Sequence, residues 1–192
     1  MRLMKVPYSY LHRQFADPDA LLDALRPLVQ AGEFTLGPRV EAFEAQFAAL
    51  HRPRPTGSSQ ASAEPLHAIG GGSGTDALAL AREALGIGPG DEVITSPTSF
   101  VATAGAIHMV GARPVFVDID ERYLLDLTLV EAASTPHTRA IMPVHYTGDM
   151  VDMVALERLA AQHGLAIVED ACQAVLARCH DEPPGWRSDA AA

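Results

Sequence analysis

From Leu66 onward the chain alternates short apolar runs with stretches of helical periodicity, and this alternation constrains the fold more than any other feature of the sequence. Candidate strands fall at residues 66–70, 92–95, 114–118, 139–144 and 165–169. Helical stretches lie between them at 75–85, 100–110, 129–133 and 153–163. Thr128 and Glu131 stand at capping-box spacing by the third helix. Asp152 and Gly164 bracket the fourth as cap and stop. Five strands alternating with four helices predict an α/β protein, a mostly parallel sheet with helices on both faces and right-handed crossovers.

The first fifty residues read differently. Asp17-Pro18 opens a helix whose Leu21, Leu22, Leu25, Leu28 and Val29 recur at helical spacing, with Pro27 expected to kink it or end it early. Gly37-Pro38 opens a second, with Val40, Phe43, Phe47 and Leu50 on one stripe. Both stripes read as core faces. Residues 52–65 are mostly Arg, Pro, Ser, Gly, Gln and Ala and offer little to bury, which reads as a flexible insertion. The expected organisation is a helical segment over 1–51, an insertion over 52–65 and an α/β domain over 66–192.

A formal net charge of −10 argues against a nucleic-acid partner, which requires a basic face, and against adsorption to an anionic membrane. No run of eighteen apolar residues exists to span a bilayer, and the first ten residues lack the apolar core of a signal peptide, so the chain reads as cytoplasmic. Cys172 and Cys179 have no close Cys-x-x-Cys or His-pair pattern, so they read as reduced thiols and no metal site is expected.

In a parallel sheet, ligands collect beyond the carboxyl ends of the strands. Three segments there carry chemistry. Gly70-Gly71-Gly72-Ser73-Gly74-Thr75-Asp76-Ala77 joins a strand to a helix; glycines admit an anion close to backbone N–H groups, and a helix start adds free donors and a positive dipole end. A glycine-rich connection with no ligand has the same composition. Gly72-x-Gly74-x-x-Ala77 also fits a dinucleotide fingerprint, but the acid that should end the next strand is absent: it finishes Thr95-Ser96-Pro97. No Gly-Lys-Ser/Thr follows, so the turn is not a P-loop either. In Ser96-Pro97-Thr98-Ser99-Phe100, the Phe100 ring could stack on a flat ligand or simply fill core. Val168-Glu169-Asp170-Ala171-Cys172-Gln173 delivers acids at a strand end, where a shielded carboxylate wants a cationic partner such as a protonated pyridine nitrogen; an Asp that only caps a turn is the alternative.

In their order these segments resemble the DegT or StrS family of pyridoxal-phosphate (PLP) dependent nucleotide-sugar aminotransferases. The similarity extends over Gly32–Pro38, Ser73–Leu78, Gly86–Ile94, Pro114–Asp120, Pro143-Val144-His145 and Glu169–Ala174. The resemblance implies the large domain of a type I PLP transferase, present in part. It implies that Gly74 and Thr75 bind the PLP phosphate, that Phe100 stacks on the pyridine ring, that Asp170 pairs with the ring nitrogen, and that Gln173 bonds the phenolic oxygen. His145 would act only behind that layer. The implied partners are a nucleotide-linked keto-sugar, an amino acid donor such as glutamate, and a second copy of the chain, since sites in this family form between subunits.

The family's Schiff-base lysine has no counterpart. The sequence contains one lysine, Lys5, far from the family position, and after Arg187-Ser188-Asp189-Ala190 the chain stops. No catalytic residue is therefore assigned, and the chain is expected to be a truncated aminotransferase, inactive alone; the alternative is a module that binds PLP or another phosphate ligand non-covalently. In the family's sheet the first strand, here 66–70, pairs with a final strand that follows the lysine, so here 66–70 is expected to be short or unassigned.

Overall fold

The computed structural model describes residues 9–52 and 66–192. Apart from Arg52, the expected insertion lies outside those residues, as does Lys5. The chain divides into two compact units, Met1–Phe43 and Glu44–Ala192.

The first unit holds α1 (Leu11–Gln14), α2 (Asp19–Ala31) and the start of α3 (Pro38–Leu50). Of the kink or early stop expected at Pro27, the early stop does not occur: α2 runs through Pro27 and ends at Gly32, whose φ of 69° suits the left-handed cap. None of its residues is buried, so water can take the carbonyl that Pro27 leaves without a donor. The stripe read as a core face is exposed as well: Leu21, Leu22, Leu25 and Val29 lie open, as do Phe43 and Leu50 of the second stripe. Within the first unit the described residues contain helices alone, with no sheet to form a second layer over them.

The second unit is the predicted α/β sheet. In chain order its elements are α4 (Gly74–Ala84), β1 (Glu92–Thr95), α5 (Val101–Met109), β2 (Arg113–Phe116), α6 (Leu127–Ala133), β3 (Thr138–Met142), α7 (Met153–His163), β4 (Ala166–Glu169) and β5 (Ala190–Ala191). The strand order is β2-β1-β3-β4-β5, and every pair is parallel. Residues 66–70 form no strand. Helix α6 begins two residues before the predicted start because Asp126, not Thr128, caps it, accepting from the Thr128 N–H at 2.9 Å. Asp152 and Gly164 bracket α7 as expected.

Successive residues of a strand point to opposite faces, and the two cores follow that rule. Ile94, Ile141 and Ile167 face one side with Val130 of α6 and Leu156 of α7. Val93, Ala140, Met142 and Val168 face the other, with Leu78 of α4 and Ile107 of α5. One charged side chain is sealed beside this second core. Arg82 of α4 is wholly buried, and its Nη1 meets the Met142 sulfur at 2.7 Å. Its Nε and Nη2 have no partner among the described residues, and burial lowers its pKa to about 10 despite the charge of Asp170.

Candidate functional site

The sheet reverses direction between β1 and β3: β2 lies on one side of β1, and β3, β4 and β5 follow on the other. A crevice at the carboxyl ends is expected at such a switch point. Thr95, the last residue of β1, bridges it by donating its hydroxyl to the Met142 carbonyl at 2.8 Å.

Asp170 sits at the carboxyl end of β4. The backbone extends the ladder there: the Asp170 N–H donates to Pro143 and the His145 N–H to Asp170, at 2.9 and 3.0 Å. Its buried side chain turns toward α5, where Thr103 donates its hydroxyl to Oδ2 at 2.6 Å. Ser99 and Thr103 share a further hydroxyl contact of 2.6 Å, which ties the loop after β1 to the same carboxylate. Oδ1 receives a long contact from the Cys172 N–H, 3.4 Å, and the Cys172 thiol also bonds the carboxylate, whose remaining lone pairs keep capacity for another donor.

The preceding acid points the other way. Glu169 is fully buried on the α7 side, 2.6 Å from His145 Nε2. The Val151 N–H donates to His145 Nδ1 at 3.3 Å, so Nε2 carries the proton and donates to Glu169. The pleat thus separates two adjacent acids into different environments.

The glycine-rich turn reaches this edge of the sheet. A Cβ built on Gly74 would lie 2.7 Å from the Cys172 sulfur, so the start of α4 packs directly on the turn after β4. Burial raises the pKa of the Cys172 thiol to about 11, with the Asp170 charge adding to it. Ser73 caps α4 by accepting from the Asp76 N–H at 3.1 Å, and the Ala77 N–H donates to the Ser73 carbonyl. The N–H groups of Gly74 and Thr75 find no acceptor among the described residues. Those two donors and the Thr75 hydroxyl are what a helix start can offer to an anion.

Gln173 is exposed, and its Oε1 accepts from the Thr147 N–H at 3.0 Å, which leaves its amide N–H₂ to donate elsewhere. Phe100 occupies the N-cap position of α5 and is 71% exposed, so it is not core. Three residues on, Thr103 makes the contact with Asp170. The spacing of the sequence did not mark Thr103 or Ser99, because a hydroxyl in a first helical turn is common and only the fold brings it to Asp170.

These residues fit a flat, phosphorylated, cationic ligand: unpaired N–H donors for the anion, an exposed ring, and a sheltered carboxylate with a free lone pair. A parallel sheet with an anion-binding helix start beside a strand-end aspartate is the frame of a cofactor-binding transferase domain. The DegT/DnrJ/EryC1/StrS aminotransferase family matches over residues 17–192, and the chain belongs to that family. It is 44% identical over 186 residues to a dTDP-3-amino-3,4,6-trideoxy-alpha-D-glucose transaminase from Micromonospora megalomicea, an alignment covering 96% of this chain and 46% of the relative. Among solved structures it resembles Streptomyces venezuelae DesV in complex with a ketimine intermediate, with a TM-score of 0.83 and 43% identity over 94% of this chain and 46% of that one. It also resembles NtdA from Bacillus subtilis with bound cofactor PMP, with a TM-score of 0.78 and 35% identity over 91% of this chain and 38% of that one. The chain spans about half the length of the curated relatives it matches. No helix among the described residues is long and apolar enough to cross a membrane.

Proposed function

We propose that this chain carries the phosphate, ring and ring-nitrogen contacts of a PLP site, in an aminotransferase that acts on a nucleotide-linked keto-sugar with an amino acid such as glutamate as donor. The observation that carries the reading is the convergence of Gly74 and Asp170 on one edge of the sheet, through Cys172. In this reading the Gly74 and Thr75 N–H groups and the Thr75 hydroxyl bind the phosphate. Phe100 covers one face of the ring. Asp170, held by Thr103, accepts from the ring nitrogen and keeps it protonated. Gln173, anchored by Thr147, donates to the phenolic oxygen. When bound, PLP supplies an aldehyde for the amino group and an electron sink for breaking the bond next to it. A second copy of the chain completes the site in the whole enzyme, as the family resemblance implies.

One observation favours a second, narrower reading for these 192 residues by themselves. The single lysine, Lys5, lies outside the matched segment, so no amine is available there as nucleophile or as proton carrier. On that reading the chain binds PLP reversibly and performs no aminotransfer.

The test is a PLP titration of the full chain followed by absorbance. Saturable binding is expected, reversed by dialysis and weakened about tenfold or more in Asp170→Ala, as for loss of a hydrogen bond to a charged group. Binding that ignores both Asp170→Ala and Gly74→Ala overturns the site. Borohydride treatment separates the two readings: a pyridoxyl adduct on one specific residue of the matched segment overturns reversible, non-covalent binding.

A further inference from the structure

Away from that edge of the sheet, three side chains with metal-binding atoms converge at the start of α7. Asp152, Cys179 and His180 each bring a ligand atom to within 4.8 Å of the other two. They come from two separate elements. Asp152 is the N-cap of α7, and its Oδ1 accepts from the Val154 and Ala155 N–H groups at 3.1 Å each. The same Oδ1 lies 3.9 Å from His180 Nε2, and Oδ2 takes no hydrogen bond among the described residues. Cys179 and His180 lie on a tight turn closed by two backbone bonds between Cys179 and Glu182, of 2.9 and 3.0 Å. His180 and Asp181, the central residues of that turn, have φ of 53° and 66°, a left-handed conformation that residues with a Cβ adopt against a steric penalty.

The turn is clamped to α7 from behind. Arg187 reaches Glu182 of the turn at 2.9 Å and Glu157 on α7 at 2.6 Å. Arg178 donates to the Asp181 carbonyl at 2.7 Å. Both halves of the cluster are therefore held without help from an ion. Arg122, a cation in electrostatic reach of Cys179, is already engaged by Asp149 through two bonds of 3.1 and 2.7 Å. Asp152 and His180 themselves are half-exposed, and their 3.9 Å approach leaves room for the small rotations that coordination requires.

We propose that Asp152, Cys179 and His180 bind one divalent cation of the zinc class. A carboxylate, a thiolate and an imidazole are the three ligand types zinc takes, and three protein ligands leave a fourth tetrahedral position for water. Calcium and magnesium prefer all-oxygen sets, so the sulfur selects against them. On binding, the Cys179 S–H bond breaks as the metal–sulfur bond forms, and the proton leaves to solvent. The ion then joins the 179–182 turn to the start of α7. This departs from the expectation that no metal site exists. That expectation considered the pair Cys172 and Cys179, whereas Cys172 packs on Gly74 and the missing ligand comes from α7.

The full chain is titrated with cobalt(II) alone, and zinc(II) is then added as competitor. One cobalt per chain is expected, with the near-ultraviolet charge-transfer band of a cobalt–thiolate bond, displaced by zinc. The band is lost in Cys179→Ser and retained in Cys172→Ser. His180→Ala and Asp152→Asn weaken binding by at least the roughly tenfold that even outer-shell changes cost at metal sites. Asn is itself a good helix cap, so Asp152→Asn tests the ligand with α7 intact. No thiolate band in the parent chain, a band that survives Cys179→Ser, or unchanged affinity in Asp152→Asn overturns the proposal.

Discussion

Thr103 and Asp170 meet across the carboxyl edge of the sheet, hydroxyl to carboxylate, at 2.6 Å. The contact joins the first turn of α5 to the end of β4 and fixes which way the carboxylate faces. Ser99 adds a second hydroxyl behind it. Thr103→Val keeps the shape and removes the donor, so Asp170 should lose its orientation while the fold stays. PLP affinity is expected to drop about tenfold or more, the low end of the roughly 1.5–3 kcal/mol typical of a hydrogen bond to a charged group. Parallel absorbance titrations of parent and variant check this, and Thr103→Ser should recover most of the loss.

The Gly74–Cys172 packing makes a prediction with its own rescue. Any Cβ at position 74 would meet the Cys172 sulfur at 2.7 Å, closer than real contacts allow. Gly74→Ala should therefore push the start of α4 away from the turn after β4, costing about 1–3 kcal/mol as overpacking does. Cys172→Gly opens that space, so the double variant should recover a large part of the cost. A double-mutant cycle by urea unfolding gives the coupling. Additive effects would mean that the two residues do not touch.

Glu92, at the start of β1, sets an acid limit on stability. It is buried, accepts from the Thr135 hydroxyl at 2.7 Å and pairs with Arg113. The Thr135 bond first, and then Arg113, hold its pKa below the ordinary carboxylate value. A carboxylate whose folded pKa is depressed binds its proton more readily in the unfolded chain. Its contribution is thus complete above the unfolded-state pKa and is lost as pH falls through the folded-state value. Urea midpoints of the parent should fall across the acid range, and those of Glu92→Gln should fall less. The gap between the two proteins should close at the acid end.

Alternation made the sheet and its helices legible, because the apolar residues of β1, β3 and β4 are buried on both faces and read as short continuous runs. Strand pairing was less so. Residues 66–70 have the composition of a strand, yet a strand needs a neighbour, and none lies beside them among the described residues. Conversely β5 is two alanines, too short for any periodicity to signal. Of the five candidate site residues, Gly74 and Asp170 are brought to one edge of the sheet, because a glycine-rich helix start and a strand-end acid belong there in this topology. Phe100 and Gln173 lie on neighbouring loops with their free groups unengaged. Glu169 and Asp170 look equivalent in sequence; the pleat alone divides them, one toward His145 and one toward Thr103. The convergence of Asp152 with Cys179 and His180 had no sequence signal, since it joins a helix cap to a distant turn.

Glu169 is expected to be the most sensitive of these positions for stability. Its carboxylate is sealed from solvent and serves three donors: His145 Nε2 at 2.6 Å, the Gly185 N–H at 2.8 Å, and the Ser188 hydroxyl. These tie β4 to the loop after β3 and to the segment leading into β5. Removing the carboxylate strands buried donors on three sides, and breaking such a buried pair typically costs about 3–5 kcal/mol. That is a large part of the roughly 5–15 kcal/mol that holds a domain together. Glu169→Ala should therefore unfold the chain or bring it to the edge of unfolding. Glu169→Gln is the sharper test because it preserves shape. An amide offers one acceptor where the site needs two, so its N–H₂ must face either the His145 proton or the Gly185 and Ser188 donors, at about 1–3 kcal/mol. Urea unfolding measures the loss, and nitrogen-15 shifts of His145 should report the Nε2-protonated tautomer in the parent chain. A Glu169→Gln protein as stable as the parent, or a His145 protonated at Nδ1 alone, would refute this assignment of donors.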